Sequence, residues 1–173
     1  MIWDLAKAST MNFNLVDIFV QVFNDLFSYI GVNHKFMCEV HESSLNSTEM
    51  FNTHVGMSGD MEGNIMFGYT EKTAQEIAAK LMGVTKNSDV DIYSKAALAD
   101  FFSEFCKRAI NTFRMDNLFN AGPEVKDYVV LTSNPTYIAG ENMSGVISKV
   151  SSKKLFFKVN GEKFGIAYSL ETK

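Results

Sequence analysis

The chain has 173 residues, 46% hydrophobic and 21% charged, with only two prolines. That length suits one domain with a single substantial core, and that composition excludes a disordered chain. A formal net charge of −4 leaves no bulk basic patch, which argues against nucleic acid as the main partner.

The N-terminal stretch MIWDLAKAST lacks the long apolar core of a signal peptide, and residues 1–12 are expected to be extended or irregular. Leu15, Ile18, Phe19, Val22, Phe23, Leu26, Phe27 and Ile30 then follow the i, i+3, i+4, i+7 rule. This predicts a core helix, with Gly31 as its left-handed cap. Asp17, Gln21, Asn24 and Asp25 interrupt the apolar run, so it cannot comfortably span a bilayer. A soluble cytoplasmic protein with no membrane partner is expected.

KFMCEVH (35–41) suggests a strand. FNTHVGMSGDMEGNIMFGY (51–69) reads as a hairpin: Phe51, Thr53, Val55 and Met57 share one face, as do Ile65, Phe67 and Tyr69, and SGDMEG supplies the connection. Thr70 is placed to cap a second helix, with Ala74, Ile77, Ala78, Leu81 and Met82 as its buried stripe and Gly83 as its stop. KNSDVD (86–91) is a polar link, and a third helix is expected from Ile92 to Phe113. Beyond a loop at AGPE (121–124) lie strand-like runs: YVVLT (128–132), GVISKVS (145–151), KLFFKV (154–159) and FGIAYSL (164–170). SSKK and NGEK read as hairpin turns, the second with a strong Asn-Gly signal. Helix, strands, two helices and strands joined by short turns predict an α+β fold in which helices cover an antiparallel sheet. Two halves of similar content, split near residue 86, hint at an internal duplication.

Cys38 and Cys106 are single and distant, so neither a zinc site nor a disulfide framework is indicated. Reduced thiols in a cytoplasmic protein are the default reading. His34, His41 and His54 fall in expected strands without ligand spacing, and no metal site is expected.

The third helix contains DFFSEFCKRAIN (100–111). On a helical wheel Leu98, Phe101, Phe102, Phe105, Ala109, Ile110 and Phe113 gather on one side. Asp100, Glu104, Lys107, Asn111 and Arg114 form a narrow ridge opposite. Any amphipathic helix has a polar face, and Glu104 with Lys107 reads as an ordinary i, i+3 pair worth a few tenths of a kcal/mol. Geometry alone leaves two readings open, a solvated face or a working edge.

MSGDMEGNIMFGYTEKTAQEIAAKLMGV (57–84) resembles the corresponding part of the CheC/CheX family of chemotaxis phosphatases. There a glycine-rich hairpin leads into a strand, a serine or threonine cap and a short helix ending in Met-Gly. The family's active helix has the pattern Asp or Ser, three residues, Glu, two residues, Asn. Asp100 and Glu104 match its first two positions, and Lys107 stands at the third. SNPTYIAGEN (133–142) is similar to the family's proline-containing strand with a following glycine. The resemblance spans most of the chain, and a single active helix points to the CheX branch.

The resemblance implies a CheC-like two-layer fold with about three helices, as one domain over residues 1–173. It implies a homodimer, and a phosphorylated CheY-type response regulator as partner and substrate. It assigns Glu104 to an ion pair with a lysine of the regulator, and gives the asparagine position the task of orienting water at the acyl phosphate. Magnesium belongs to the regulator, so no cofactor is expected on this chain. Glu104 and Lys107 are therefore the expected catalytic positions, with Asp100 and Asn111 as binding residues.

Lys107 departs from that chemistry. An ammonium donates three hydrogen bonds and accepts none, so it cannot hold a water by accepting its proton. Asn111 lies one turn on, about 6 Å along the axis, too far to replace the lost group unless docking shifts. Moving the match by four residues, with Asp100 for the glutamate and Ser103 for the asparagine, keeps the helix and loses both identities. The expected function is a CheX-like protein that binds and dephosphorylates a CheY-type regulator, with catalysis weakened by Lys107. The alternative is a catalytically inactive regulator-binding or dimeric signalling module.

Overall fold

The structure, a computed structural model, describes residues 15–42, 51–85, 91–121, 130–132, 136–139 and 152–172. The expected N-terminal segment 1–12, the expected strand at 145–151 and most of the loop after Ala121 lie outside the described residues.

Helix α1 spans Leu15–Ile30 and buries Val16, Ile18, Phe19, Val22, Phe23, Leu26 and Phe27, the stripe its periodicity requires. Gly31, at φ 75°, ends it in the left-handed conformation, and the Val32 N–H donates back to Phe27 O at 3.0 Å. Strand β1 follows at His34–Glu42.

Strands β2 (Phe51–Gly59) and β3 (Met61–Tyr69) pair from Phe51 with Tyr69 to Met57 with Gly63. The SGDMEG segment, expected as the connection, is mostly strand. The ladder continues through its glycines, and the turn contracts around Asp60. Gly63 adopts φ 143°, and a Cβ there would run into the Ser169 carbonyl oxygen of the neighbouring strand.

Helix α2 (Glu71–Met82) starts where Thr70 Oγ1 accepts from the Thr73 N–H at 3.2 Å, and stops at Gly83, φ 68°. Ala74, Ile77 and Ala78 are fully buried, as expected, and Leu81 is half-buried. Met82 is 39% exposed, against expectation. The last turn aims its sulfur at the Ser94 hydroxyl, 4.0 Å away at the start of the next helix, instead of at the sheet.

Helix α3 spans Ile92–Ala121 and so runs on past the expected end at Phe113. Asp91 caps it: Oδ1 accepts from the Ser94 N–H at 2.8 Å and from Ser94 Oγ at 2.9 Å. These bonds to Ser94 favour the ionised form and hold the Asp91 carboxyl below the usual carboxylate range.

Strands β4 (Val130–Thr132), β5 (Thr136–Ala139), β6 (Ser152–Val159) and β7 (Glu162–Thr172) complete the described chain. SSKK is not a turn: from Ser152 onward it is strand β6, bonded to β1, with Lys154 buried and its ammonium 4.8 Å from the Phe156 ring. NGEK is the turn that was expected. Asn160 at φ 47° and Gly161 at φ 79° are the two left-handed residues of a tight hairpin.

Among the described residues the sheet has seven strands, all antiparallel to their neighbours, in the order β1-β6-β7-β3-β2-β4, with β5 beside β4 along the outer edge of β2. Exchange β1 with the β4–β5 edge, β2 with β6 and β3 with β7, and the order reads the same from the other side. The central pair is β3 with β7, one strand from each half. The expected duplication is thus present in the topology, with α1 and α3 as equivalent helices.

Both helices press aromatic residues onto this sheet. Phe19 of α1 meets Tyr168 of β7 edge-on at 4.8 Å, and Phe102 of α3 stacks on Phe67 of β3 at 4.5 Å. Phe19 and Phe105, 5.9 Å apart, join the two helices to each other. Phe23 stacks on Phe157 of β6 at 3.8 Å. Burying side chains of this size contributes about 2–3 kcal/mol each relative to exposure, which fixes both helices on the sheet and leaves their outer faces to solvent.

Candidate functional site

The position of the α3 ridge follows from what its other side buries. Leu98, Phe102, Phe105 and Cys106 are fully buried, with Phe101 and Ala109 nearly so. Asp100, Glu104, Lys107, Asn111 and Arg114 are all exposed, in one line along the outer surface. All four expected site residues, Asp100, Glu104, Lys107 and Asn111, are therefore together on one accessible edge.

The pairing along that edge differs from expectation. Glu104 does not pair with Lys107. Its Oε1 accepts from Arg108 Nε at 2.9 Å, one full turn along, with both side chains about half exposed (47% and 52%). The i, i+4 spacing aligns a guanidinium with a carboxylate better than i, i+3 does here, and the exposed pair adds only a few tenths of a kcal/mol. The Lys107 ammonium projects beside it into solvent.

Cys106, between ridge and core, is buried, and burial pushes its thiol up to about 12. It is a packing residue and not a nucleophile. His34 Nδ1 lies 2.8 Å from Val32 O, and His54 Nε2 lies 2.7 Å from Asn64 Oδ1, so both rings hold local structure. Among the described residues no three metal-ligating side chains group together.

A second polar line was missed in the sequence. Asp17, Gln21, Asn24 and Ser28 are exposed along α1 at the spacing of Asp100, Glu104, Lys107 and Asn111. Read only as interruptions of an apolar run, they hid a signal that comparing the two helices would have found.

No family model and no curated protein matches the sequence. Solved structures do match the fold. A CheX chemotaxis protein from Desulfovibrio desulfuricans superposes with a TM-score of 0.70 at 19% identity, over 91% of this chain and 99% of that one. A CheC-like superfamily protein from Shewanella sp. PV-4 gives 0.72 at 16%, over 92% and 99%. This is the CheC-like fold. A chain of the CheX–CheY–BeF3–Mg2+ complex from Borrelia burgdorferi shares it, with a TM-score of 0.64 at 21% identity over 91% of this chain and 98% of that one. The CheC-like chain has, among its described residues, no helix long and apolar enough to cross a membrane.

Proposed function

We propose that this CheC-like chain docks a phosphorylated CheY-type response regulator on its exposed helical ridge and acts on the regulator's aspartyl phosphate. One observation carries the reading: Asp100, Glu104, Lys107 and Asn111 stand exposed in a line on a helix whose opposite face is fully committed to the core. Support comes from the fold, which is shared with a CheX–CheY–BeF3–Mg2+ complex.

Hydrolysis of an acyl phosphate requires an in-line water held against a group whose charge a metal already neutralises. Magnesium on the regulator would supply that neutralisation, so this chain contributes positioning. Glu104, once released from Arg108, offers a carboxylate to a lysine of the regulator. Lys107 can donate to a phosphoryl oxygen but cannot accept a proton from the water. Turnover at the α3 ridge is accordingly weak.

A second reading, regulator binding without hydrolysis, is favoured by the same Lys107. Phosphate release from a CheY-type regulator phosphorylated in the presence of magnesium, with and without the protein, separates the two. Faster release supports hydrolysis, and an unchanged rate leaves the binding module. Absence of any complex with the regulator removes both. The subunit arrangement is part of the same proposal: a homodimer, which sedimentation or light scattering would test.

A further inference from the structure

Strand β6 has two unlike faces. Leu155, Phe157 and Val159 are fully buried under the helices, with Phe157 stacked on Phe23. Lys154, Phe156 and Lys158 alternate with them and so point to the other face of the sheet. There Lys158 pairs laterally with Lys35 of β1 and with Lys163 of β7. Three exposed lysines thus stand in one row across three adjacent strands. Directly opposed like charges destabilise a sheet, and in a chain of net charge −4 such a row is a local excess.

The same face holds a fourth lysine in a different environment. Lys154 is only 6% exposed, and its ammonium lies 4.8 Å from the centre of the half-buried Phe156 ring. Its stem crosses Gly165 of β7, where a Cβ would come within 3.3 Å of Lys154 Cε, so the strand leaves room for this side chain. The Lys163 ammonium reaches the same ring, at 5.8 Å. Among the described residues none of Lys35, Lys154, Lys158 and Lys163 makes an ion pair. The ring's negative face attracts a cation, but two ammoniums that share it repel each other. Buried charges are ordinarily paired with an opposite charge, and here that opposite charge has to be an anion from outside. Solvation accounts for Lys35 and Lys158. It does not account for a buried, unpaired Lys154.

We propose that Lys154, Lys158 and Lys163, grouped around Phe156 on the sheet face opposite the helices, form a binding site for a polyphosphate anion, with Lys35 at its margin. Neighbouring strands lie about 4.8 Å apart, so linked phosphoryl groups bridge lysines on adjacent strands, whereas one carboxylate neutralises a single lysine. Each ammonium donates up to three hydrogen bonds and binds phosphoryl oxygens as a point charge. Planar, bidentate recognition of a carboxylate would call for arginine, and both arginines of the chain, Arg108 and Arg114, are on α3. The site faces away from the helical ridges and stands apart from the regulator-binding reading. Its anion comes from solution, as a polyphosphate or nucleoside triphosphate, or from the multiply phosphorylated headgroup of a lipid.

The test uses the full chain. Tripolyphosphate is titrated calorimetrically, at matched ionic strength, into the natural protein and into Lys154→Met, Lys163→Gln and Lys95→Gln. Lys95 is exposed on α3 and controls for charge alone. The expected result is binding at one site per chain that also raises the melting temperature. Affinity should fall at least roughly tenfold in Lys154→Met and roughly fivefold in Lys163→Gln, and stay within about twofold in Lys95→Gln. Lys163 is exposed, so Lys163→Gln decides the matter if Lys154→Met does not fold. ATP, and phosphatidylcholine vesicles carrying a bisphosphorylated inositol lipid, are then run on the same proteins to separate the sources. The expected variant pattern with ATP assigns a soluble anion, and the same pattern with the vesicles alone assigns a headgroup. No binding of any of these probes, an equal loss in Lys95→Gln, or undiminished binding in Lys163→Gln overturns the proposal.

Discussion

Arg108 donates its Nε–H to Glu104 Oε1 at 2.9 Å across one turn of α3, so the carboxylate best placed to meet a partner already has one. Docking of a regulator on this ridge, as proposed, would exchange that exposed intrahelical pair for an intermolecular one, and because the pair is solvent-screened the exchange would cost little.

Arg108→Ala should therefore leave regulator affinity unchanged or raise it modestly, by roughly twofold, while Glu104→Ala lowers it by roughly fivefold, equivalent to about 1 kcal/mol. Calorimetric titration of both variants with a beryllofluoride-loaded receiver checks this. Loss of binding in Arg108→Ala would mean that the guanidinium, and not the carboxylate, meets the partner.

Lys107→Asn restores a donor and an acceptor on α3 and removes a charge that would face the regulator's magnesium. It should raise phosphate release by roughly tenfold, with Lys107→Ala as the control that removes the charge alone. An equal response to alanine and asparagine would show that charge, and not water positioning, limits the reaction.

How far these elements could be read from the sequence depended on whether their signals were local. The α1 stripe, the Thr70 cap, the Gly83 stop and the Asn160–Gly161 turn each rest on a few adjacent residues with one conformational solution, and the structure has them as expected. The extent of α3 beyond Phe113 and the strand character of Ser152–Lys154 depend on longer-range pairing that periodicity does not carry. Met82 was misplaced because helical spacing is blind to the neighbouring Ser94. At the ridge, exposure of Glu104 and Lys107 followed from Phe101, Phe102 and Phe105 being buried opposite. The ion partner did not, since Lys107 and Arg108 both lie within reach of Glu104. The α1 polar line went unread because the hinted duplication was not carried down to a comparison of the two helices, an equivalence that the strand order makes explicit.

The Asp91 cap predicts an acid dependence of α3. Because bonding to Ser94 lowers the folded-state pKa, its contribution is fully present above the unfolded carboxylate value, near 3.8, and is lost as pH falls through the lower folded value. Asp91→Ala should melt below the natural protein at pH 7, and the gap should narrow in acid. A gap that widens on acidification would contradict the cap.

Thiol chemistry reports the rotation of α3. Cys38 is exposed, whereas Cys106 is buried with its thiol pushed up to about 12. One thiol should react quickly with a disulfide reagent in the native protein and the second only on denaturation. Two fast thiols would place Cys106 outward, and the ridge with it inward.

The central claim is recognition of the phosphorylated state, and one titration tests it most directly. Natural protein is titrated with the same magnesium-bound CheY-type receiver, with and without beryllofluoride. The account predicts at least roughly tenfold tighter binding to the loaded form, an advantage diminished by Glu104→Ala. Equal affinity for the two forms, or no complex with either, would contradict it.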